Sequence, residues 1–202
     1  MSSPPNRRAV TAQETRRLIL DAALELFTAQ GYGATSVGDI AARAGVATPT
    51  VYTSVGKKPE LLRGLLDRLD DIADIPQLAR EGMSSGDPAH VLSVGVRITR
   101  LLAERCGDII AAIASAASVE PEMAAVYRAG MKRHLDGIQG AVDKLRRLKA
   151  LRPQMSREDA VAVFYTLTAH TTWAMLVNDR GWTFDRAEAW MMNVLQRELL
   201  RT

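Results

Sequence analysis

The sequence predicts an all-α protein, and three observations point to this fold class. Ala and Leu are abundant, while aromatic residues make up only 5% of the 202 residues, a composition that favours helices over strands. Apolar residues recur at helical spacing along most of the chain, whereas the alternation typical of strands never extends over a useful length. Glycines, prolines and capping residues divide the apolar stripes into about nine helices.

An amphipathic helix is predicted from Thr11 to Gln30, after a flexible arm formed by the first ten residues. Thr11 followed by Glu14 matches a capping box at the start of this helix. Gly31 is suited to end it, because glycine accepts the left-handed backbone conformation. One apolar stripe runs along the helix and consists of Ile19, Ala22, Ala23, Leu26 and Phe27.

Two short helices joined by a tight turn are predicted within residues 35–58. The first has an inward apolar face that includes Ile40, and Gly45 makes the turn. Thr48 is suited to cap the second helix, with Pro49 at its first position. This second helix carries no charge and presents small polar groups: Thr48, Thr50, Tyr52, Thr53 and Ser54. A short polar helix supported from behind by apolar residues is the geometry that reads base edges in a DNA groove.

Helical patterns continue through the rest of the chain, at about 58–71, 88–105, 108–118, 121–149, 156–179 and 185–200. Ser156 with Asp159 and Asp185 with Glu188 match capping boxes. We therefore expect two domains. Residues 1–58 form a three-helix, helix-turn-helix domain with its N-terminal arm, and residues 59–202 form a helical domain.

The positive charge of the chain is concentrated in the predicted helix-turn-helix domain. Residues 1–58 contain seven Lys or Arg against four Asp or Glu, whereas residues 59–202 contain 19 of each. The whole net charge of +3 therefore belongs to the first domain. A surface that faces phosphate groups is expected to have this asymmetry.

Several functional classes are disfavoured by what the sequence lacks. It has no glycine-rich phosphate loop, no nucleophile elbow and no metal-like spacing among His90, His134 and His170, so we expect neither an enzyme nor a metal or other cofactor. The single cysteine, Cys106, fits a reducing compartment. The longest weakly polar run, 109–119, is too short to span a bilayer, and the N-terminus lacks the apolar core of a secretory signal. We therefore expect a cytoplasmic protein without a membrane segment.

The first 62 or so residues resemble the N-terminal domain of TetR-family (tetracycline-repressor-like) transcriptional regulators. The matching residues are Ile19-Leu20-Asp21-Ala22-Ala23, Leu26-Phe27, Gly31-Tyr32, Thr35-Ser36-Val37, Asp39-Ile40-Ala41, Ala44-Gly45-Val46, Thr50-Val51-Tyr52, Lys58 and Leu61-Leu62. The chain departs from the family pattern at Ser54 and Val55, where His or Tyr and then Phe are usual, and at Pro59, where Glu is usual. Beyond the first domain, the resemblance rests only on length and helix count.

The resemblance implies that residues 48–54 are the recognition helix in a DNA major groove. Thr50 and Thr53 would contact base edges, because a threonine offers both a hydroxyl and a methyl group. Tyr52 and Lys58 would contact phosphates. Thr48 would lie where a helix N-terminus meets a phosphate, and Thr35 and Ser36 would offer hydroxyl and amide groups to the DNA backbone.

The resemblance further implies a homodimer that binds a palindromic operator and releases it when a small lipophilic effector binds. The predicted pocket residues are Ile98, Leu101, Leu102, Ile109, Ile113, Met123, Tyr127, Met131, Phe164 and Thr168. The predicted dimer contacts are Val163, Leu167, Trp173, Leu176, Trp190, Val194 and Leu195, although packing in the chain's own core explains these residues equally well. A helical ligand-binding or interaction protein with weakened DNA binding remains the alternative, and activation in place of repression stays open.

Overall fold

The computed structural model describes residues 7–67 and 75–201, with side chains from residue 11 onward. The chain divides into two compact units. The first is drawn from Met1–Arg68 and Asp108–Tyr127, and the second from Leu69–Gly107 and Arg128–Thr202. The first unit thus extends beyond residue 58, the predicted end of the first domain, and includes a segment from the middle of the chain.

The prediction of an all-α fold is confirmed. The described residues form ten α-helices: α1 (Arg7–Ala34), α2 (Val37–Ala44), α3 (Thr48–Ser54), α4 (Lys58–Asp67), α5 (Ile75–Ser84), α6 (Pro88–Ala117), α7 (Pro121–Arg147), α8 (Arg157–Thr168), α9 (His170–Ala174) and α10 (Phe184–Leu199). A π-helical turn, Met175–Asp179, follows α9. Strand-like pairing in the described residues is limited to one isolated bridge between Leu151 and Leu200.

The first helix starts earlier than predicted. It begins at Arg7, so Thr11 lies inside the helix and the predicted capping box at Thr11 is wrong. Residues 7–10 of the predicted flexible arm are helical, and residues 1–6 lie outside the described part of the chain. Gly31 interrupts the helix with φ 84° and ψ 158°, a backbone conformation that residues other than glycine rarely adopt.

The helices α1 to α4 share one apolar core in the first unit. Its fully buried side chains are Ile19, Ala23, Ile40, Val51, Leu61 and Leu62. Burial of such side chains is the main favourable contribution to the folding of a small helical unit. The helix α4 packs closely on α1 at Gly64, where an added Cβ would lie 3.0 Å from Leu20 Cδ2.

The second unit has its own core, which includes Leu92, Phe164, Trp173 and Leu195. The ring N–H of Trp173 donates a hydrogen bond to the Thr99 hydroxyl at 3.2 Å, which satisfies a buried polar group. Within the described residues, no single helix is long and apolar enough to cross a bilayer. The segments 157–168 and 170–179 pass such a test only as a pair bent by 42°.

Three helix boundaries in the second half differ from the sequence prediction. A single continuous helix, α6, replaces the two predicted at 88–105 and 108–118. Ala169, with ψ 144°, breaks the helix predicted over 156–179. Thr183, rather than Asp185, caps α10 and accepts from the Arg186 N–H, while Asp185 pairs with Arg100 at 2.6 Å. The predicted cap at Ser156 is confirmed.

Candidate nucleic-acid interface

Local hydrogen bonds build the turn between α2 and α3. The Ser36 hydroxyl accepts from the Asp39 N–H at 3.1 Å, and the Asp39 carboxylate accepts from the Ser36 N–H at 2.9 Å, which completes a capping box. Gly45 ends α2 in the left-handed conformation, with φ 69° and ψ 30°. The Val46 N–H then donates to the Ala41 carbonyl at 3.0 Å. Together these bonds define a helix-turn-helix.

The helix α3 is held on an apolar seam and faces outward on its other side. Val51 is fully buried against the core of the first unit, whereas Thr48 and Thr53 are exposed and Thr50 is half-buried. Tyr52 is 50% exposed, so its ring and hydroxyl group are accessible on this outward side. Because α3 contains no charged residue, this outward face can enter a groove without desolvating an ion.

The two threonines predicted to contact bases differ in exposure, because Thr53 is exposed and Thr50 is half-buried. The Thr53 hydroxyl donates to the Pro49 carbonyl at 3.1 Å, so the Thr53 side chain offers DNA its methyl group and its oxygen lone pairs.

The N-cap of α3 is Ala47 rather than Thr48, so the predicted capping role of Thr48 is wrong. Thr48 instead occupies the first turn, where its exposed side chain stays a predicted phosphate contact.

The structure corrects the role predicted for the Thr35 hydroxyl. Thr35 is only 1% exposed, and its hydroxyl donates to the Gly31 carbonyl at 2.9 Å. The Gln30 amide also donates to this oxygen, at 3.2 Å. The hydroxyl therefore joins the end of α1 to the start of α2 and is not accessible to a DNA phosphate. Ser36 is exposed at the same helix start, next to the Asp39 carboxylate.

Lys58 lies in a polar cluster that the sequence did not predict. Its ammonium group is 4.2 Å from the centre of the Tyr32 ring and donates to the Gly33 carbonyl at 3.4 Å. The Tyr32 hydroxyl donates to the Glu120 carboxylate at 3.0 Å. Burial lowers the pKa of Lys58, and the charge of Glu120 opposes that shift. Burial and the hydrogen bond to Glu120 raise the pKa of Tyr32.

Arg16 contacts α3, and the sequence analysis did not predict a role for it. From α1, its Nη1 donates to the carbonyl of Ser54, the last residue of α3, at 3.0 Å. Arg16 lies three and four positions before Ile19 and Leu20, both of which are buried. A charged residue on the same stripe as buried apolar residues indicates a partner inside the fold, and this spacing was the available signal.

The residues predicted to line an effector cavity fall in both compact units. Ile109, Ile113, Met123 and Tyr127 belong to the first unit, whereas Ile98, Leu101, Leu102, Met131, Phe164 and Thr168 belong to the second. In the second unit, the Thr168 hydroxyl donates to the Phe164 carbonyl at 2.8 Å and lies 3.2 Å from His134 Nε2. Burial lowers the pKa of His134 to about 4, so this imidazole is neutral near pH 7. The cavity itself stays a prediction.

Two of the predicted dimer contacts lie in the core of the second unit. Trp173 and Leu195 are 1% and 0% exposed, so neither can form a contact between subunits, and these two assignments are corrected. Val163, Leu167, Leu176 and Val194 are half-buried. Trp190 is 40% exposed and meets the Trp182 ring edge-on, with the ring centres 5.9 Å apart. These five stay predicted dimer contacts.

The fold and this site define a helix-turn-helix protein with an outward, uncharged second helix. A sequence profile described as "Bacterial regulatory proteins, tetR family" matches residues 19–65, the segment that builds the site. Residues 19–65 therefore resemble this family, and curated proteins similar to part of this chain are named as transcriptional regulators.

One curated relative is the "HTH-type transcriptional regulator AcrR" of Shigella flexneri, which is 38% identical over 81 residues. These residues are 40% of this chain, and the match spans only 38% of the length of that relative.

Solved structures match the whole fold at lower identity. The "SmeT-Triclosan complex" has a TM-score of 0.75 and 19% identity, covering 93% of this chain and 92% of that one. A "putative transcriptional regulator from Saccharomonospora viridis in complex with choline" has a TM-score of 0.77 and 17% identity, covering 94% and 100%. At such identities the likeness is one of fold, and it extends beyond the first unit.

Proposed function

We propose that the protein is a ligand-responsive, DNA-binding transcriptional regulator. The observation that carries the proposal is α3, an uncharged helix held from behind by buried Val51 and exposing Thr48, Tyr52 and Thr53. Thr50 and Thr53 read base edges, and Tyr52 and Lys58 contact phosphates. The excess positive charge of residues 1–58 supports the same surface.

The regulator acts as a homodimer on a palindromic operator. One seven-residue helix reads few base pairs, so two copies related by a two-fold axis are needed for specificity. The exposed and half-buried apolar residues of α8 and α10, among them Val163, Trp190 and Val194, supply the contact between the subunits. Because its proposed target is duplex DNA, the protein acts in the cytoplasm.

A small lipophilic effector releases the operator, and the protein is a repressor. Apolar side chains and two methionines dominate the predicted lining residues, and methionine adapts to ligands of varied shape. Triclosan and choline are bound by the two proteins of similar fold, so this architecture accommodates different small molecules. Binding of the effector favours a dimer geometry in which the two recognition helices no longer match the groove.

Selection of bound duplexes from a random pool tests this function. At low salt the protein should retain DNA and enrich a palindrome, and retention should weaken steeply as salt rises. The variant Tyr52→Phe with Lys58→Ala should lower affinity about equally for all sequences. Failure to retain any duplex at low salt would contradict the proposal and favour a ligand-binding protein with weakened DNA binding.

A further inference from the structure

The recognition helix depends on other elements for its orientation. It has only seven residues, and an isolated helix of this length is unstable in water. Its N-cap is Ala47, whose methyl group cannot accept a hydrogen bond from the first turn. Its sequence also lacks a basic residue in the last turn that would complement the helix dipole. The contacts that orient its outward face must therefore come from outside the helix.

Arg16 supplies such a contact at the C-terminal end of α3. Its guanidinium group donates to the Ser54 carbonyl, one of the last carbonyls of α3, which lack partners within the helix. A guanidinium keeps its charge at every relevant pH, and here it lies at the negative end of the helix dipole. The nearby Val55 and Gly56 N–H groups both donate to the Val51 carbonyl, at 2.9 and 3.2 Å, and close the last turn.

Gly64 on α4 provides the space that Arg16 occupies. A Cβ at this position would lie 3.2 Å from Arg16 Nη2 and 3.0 Å from Leu20 Cδ2, closer than ordinary contacts. Glycine is unfavourable inside a helix, and its presence here matches a need for close approach. The Arg16 side chain is thus placed by α1 and α4 together, and through it both helices act on α3.

We propose that Arg16 is a positioning residue for the recognition helix, which orients the face carrying Thr50, Tyr52 and Thr53 without itself touching DNA. The inference rests on the proposed function and adds a determinant of its specificity. Thr50 and Thr53 lie within about one helical turn of the carbonyl that Arg16 holds. A tilt of this end shifts both side chains relative to the base edges.

The test compares Arg16→Met with Arg17→Met. Arg17 is the next residue on α1, is exposed, and pairs with Glu14 and Asp21, so its variant removes the same charge without touching α3. Affinity for the selected operator and for a random duplex is measured over a series of salt concentrations.

Arg16→Met should lose about tenfold in operator affinity relative to Arg17→Met, with equal affinity for the random duplex and an equal salt slope. A parallel loss on both duplexes, with the salt slope reduced by about one, would identify Arg16 as a direct phosphate contact and overturn the proposal. Identical operator affinity in the two variants would overturn it as well.

Hydrogen exchange tests the same contact without DNA, and so separates this inference from the proposed function. In Arg16→Met the Val55 and Gly56 amides should exchange faster, while the amides of Leu65 and Leu66 in α4 keep their protection. Unchanged exchange at Val55 and Gly56 would contradict the proposal even if no operator were found.

If Arg16→Met fails to fold, Arg16→Lys replaces it in the DNA-binding test. Arg16→Lys should retain the fold and recover only part of the discrimination between the operator and the random duplex, because an ammonium group cannot reproduce the guanidinium geometry. Full discrimination in Arg16→Lys would overturn the proposal.

Discussion

At the scale of single residues, the cluster around Lys58 places a carboxylate near a predicted phosphate contact. Glu120 accepts from the Tyr32 hydroxyl, and the Tyr32 ring contacts the Lys58 ammonium. A negative charge here competes with a DNA phosphate for the same cation. Glu120 lies just before α7, so a segment remote in sequence contributes a charge close to this predicted phosphate contact.

Glu120→Gln should strengthen the binding of duplex DNA. The amide oxygen of glutamine still accepts from the Tyr32 hydroxyl, while the charge that competes for Lys58 is removed. The matched control is Glu122→Gln, which makes the same change of net charge at an exposed position two residues away, in the first turn of α7. We expect about threefold higher affinity than in the control, measured by fluorescence anisotropy at low salt. Equal affinities would show that net charge alone is responsible.

His134 should make stability depend on pH. Burial lowers its folded pKa to about 4, whereas an unfolded histidine titrates near 6.5, so the unfolded state binds more protons between these values. The free energy of unfolding should therefore fall as pH decreases from about 6.5 to about 4, by at most about 1.4 kcal/mol per pH unit. Urea unfolding of His134→Gln should lack this component, and the exposed His90→Gln serves as the control. Parallel curves for wild type and His134→Gln would contradict the assignment.

At the scale of the elements, the helix-turn-helix was predictable because its signals are local. The cap at Ser36, the left-handed turn at Gly45 and the buried Val51 each follow from residue type and spacing over a few positions. The contacts of Arg16 with Ser54 and of Tyr32 with Glu120 span 38 and 88 residues. Such partners depend on the tertiary packing of helices, which periodicity in a single sequence does not specify.

Thr35→Val separates a structural from a DNA-binding role for this residue. Valine has nearly the same shape, but it removes the hydroxyl that donates to the Gly31 carbonyl inside the fold. Unfolding in urea should show a loss of about 1 to 2 kcal/mol, while the affinity of the folded protein for a random duplex stays unchanged. A large loss of DNA affinity at unchanged stability would restore the phosphate contact that the sequence predicted.

The sequence also did not determine the length of every helix or which apolar residues are buried in the core. Nothing in the local pattern near residue 107 distinguishes one long helix from two, and α6 is continuous there. Trp173 and Leu195 have the same residue types as surface contacts of a bundle, and only burial assigns them to the core. Apolar spacing identifies an inward face but does not say whether the covering surface belongs to the same chain.

At the scale of the whole molecule, Trp190→Glu should weaken the dimer. A carboxylate on this exposed apolar position would be buried without a partner in the proposed subunit contact. Met83→Glu is the control, because Met83 is a similarly exposed apolar residue on α5. In sedimentation at about 10 μM, Trp190→Glu should be monomeric, whereas Met83→Glu should remain a dimer. Trp190→Glu should also lose palindrome binding. Dimers in both variants would exclude this surface as the interface.

The proposed function requires that α3 reads base edges. The most direct measurement is selection from a random duplex pool, performed side by side for the wild type and for Thr50→Ala with Thr53→Ala. Both threonines lie on the outward part of α3, so alanine removes their hydroxyl and methyl contacts while Val51 still anchors the helix. We expect a palindrome for the wild type and loss of base preference at symmetry-related positions in the variant. Recovery of the same palindrome with the same preferences by both proteins would contradict it.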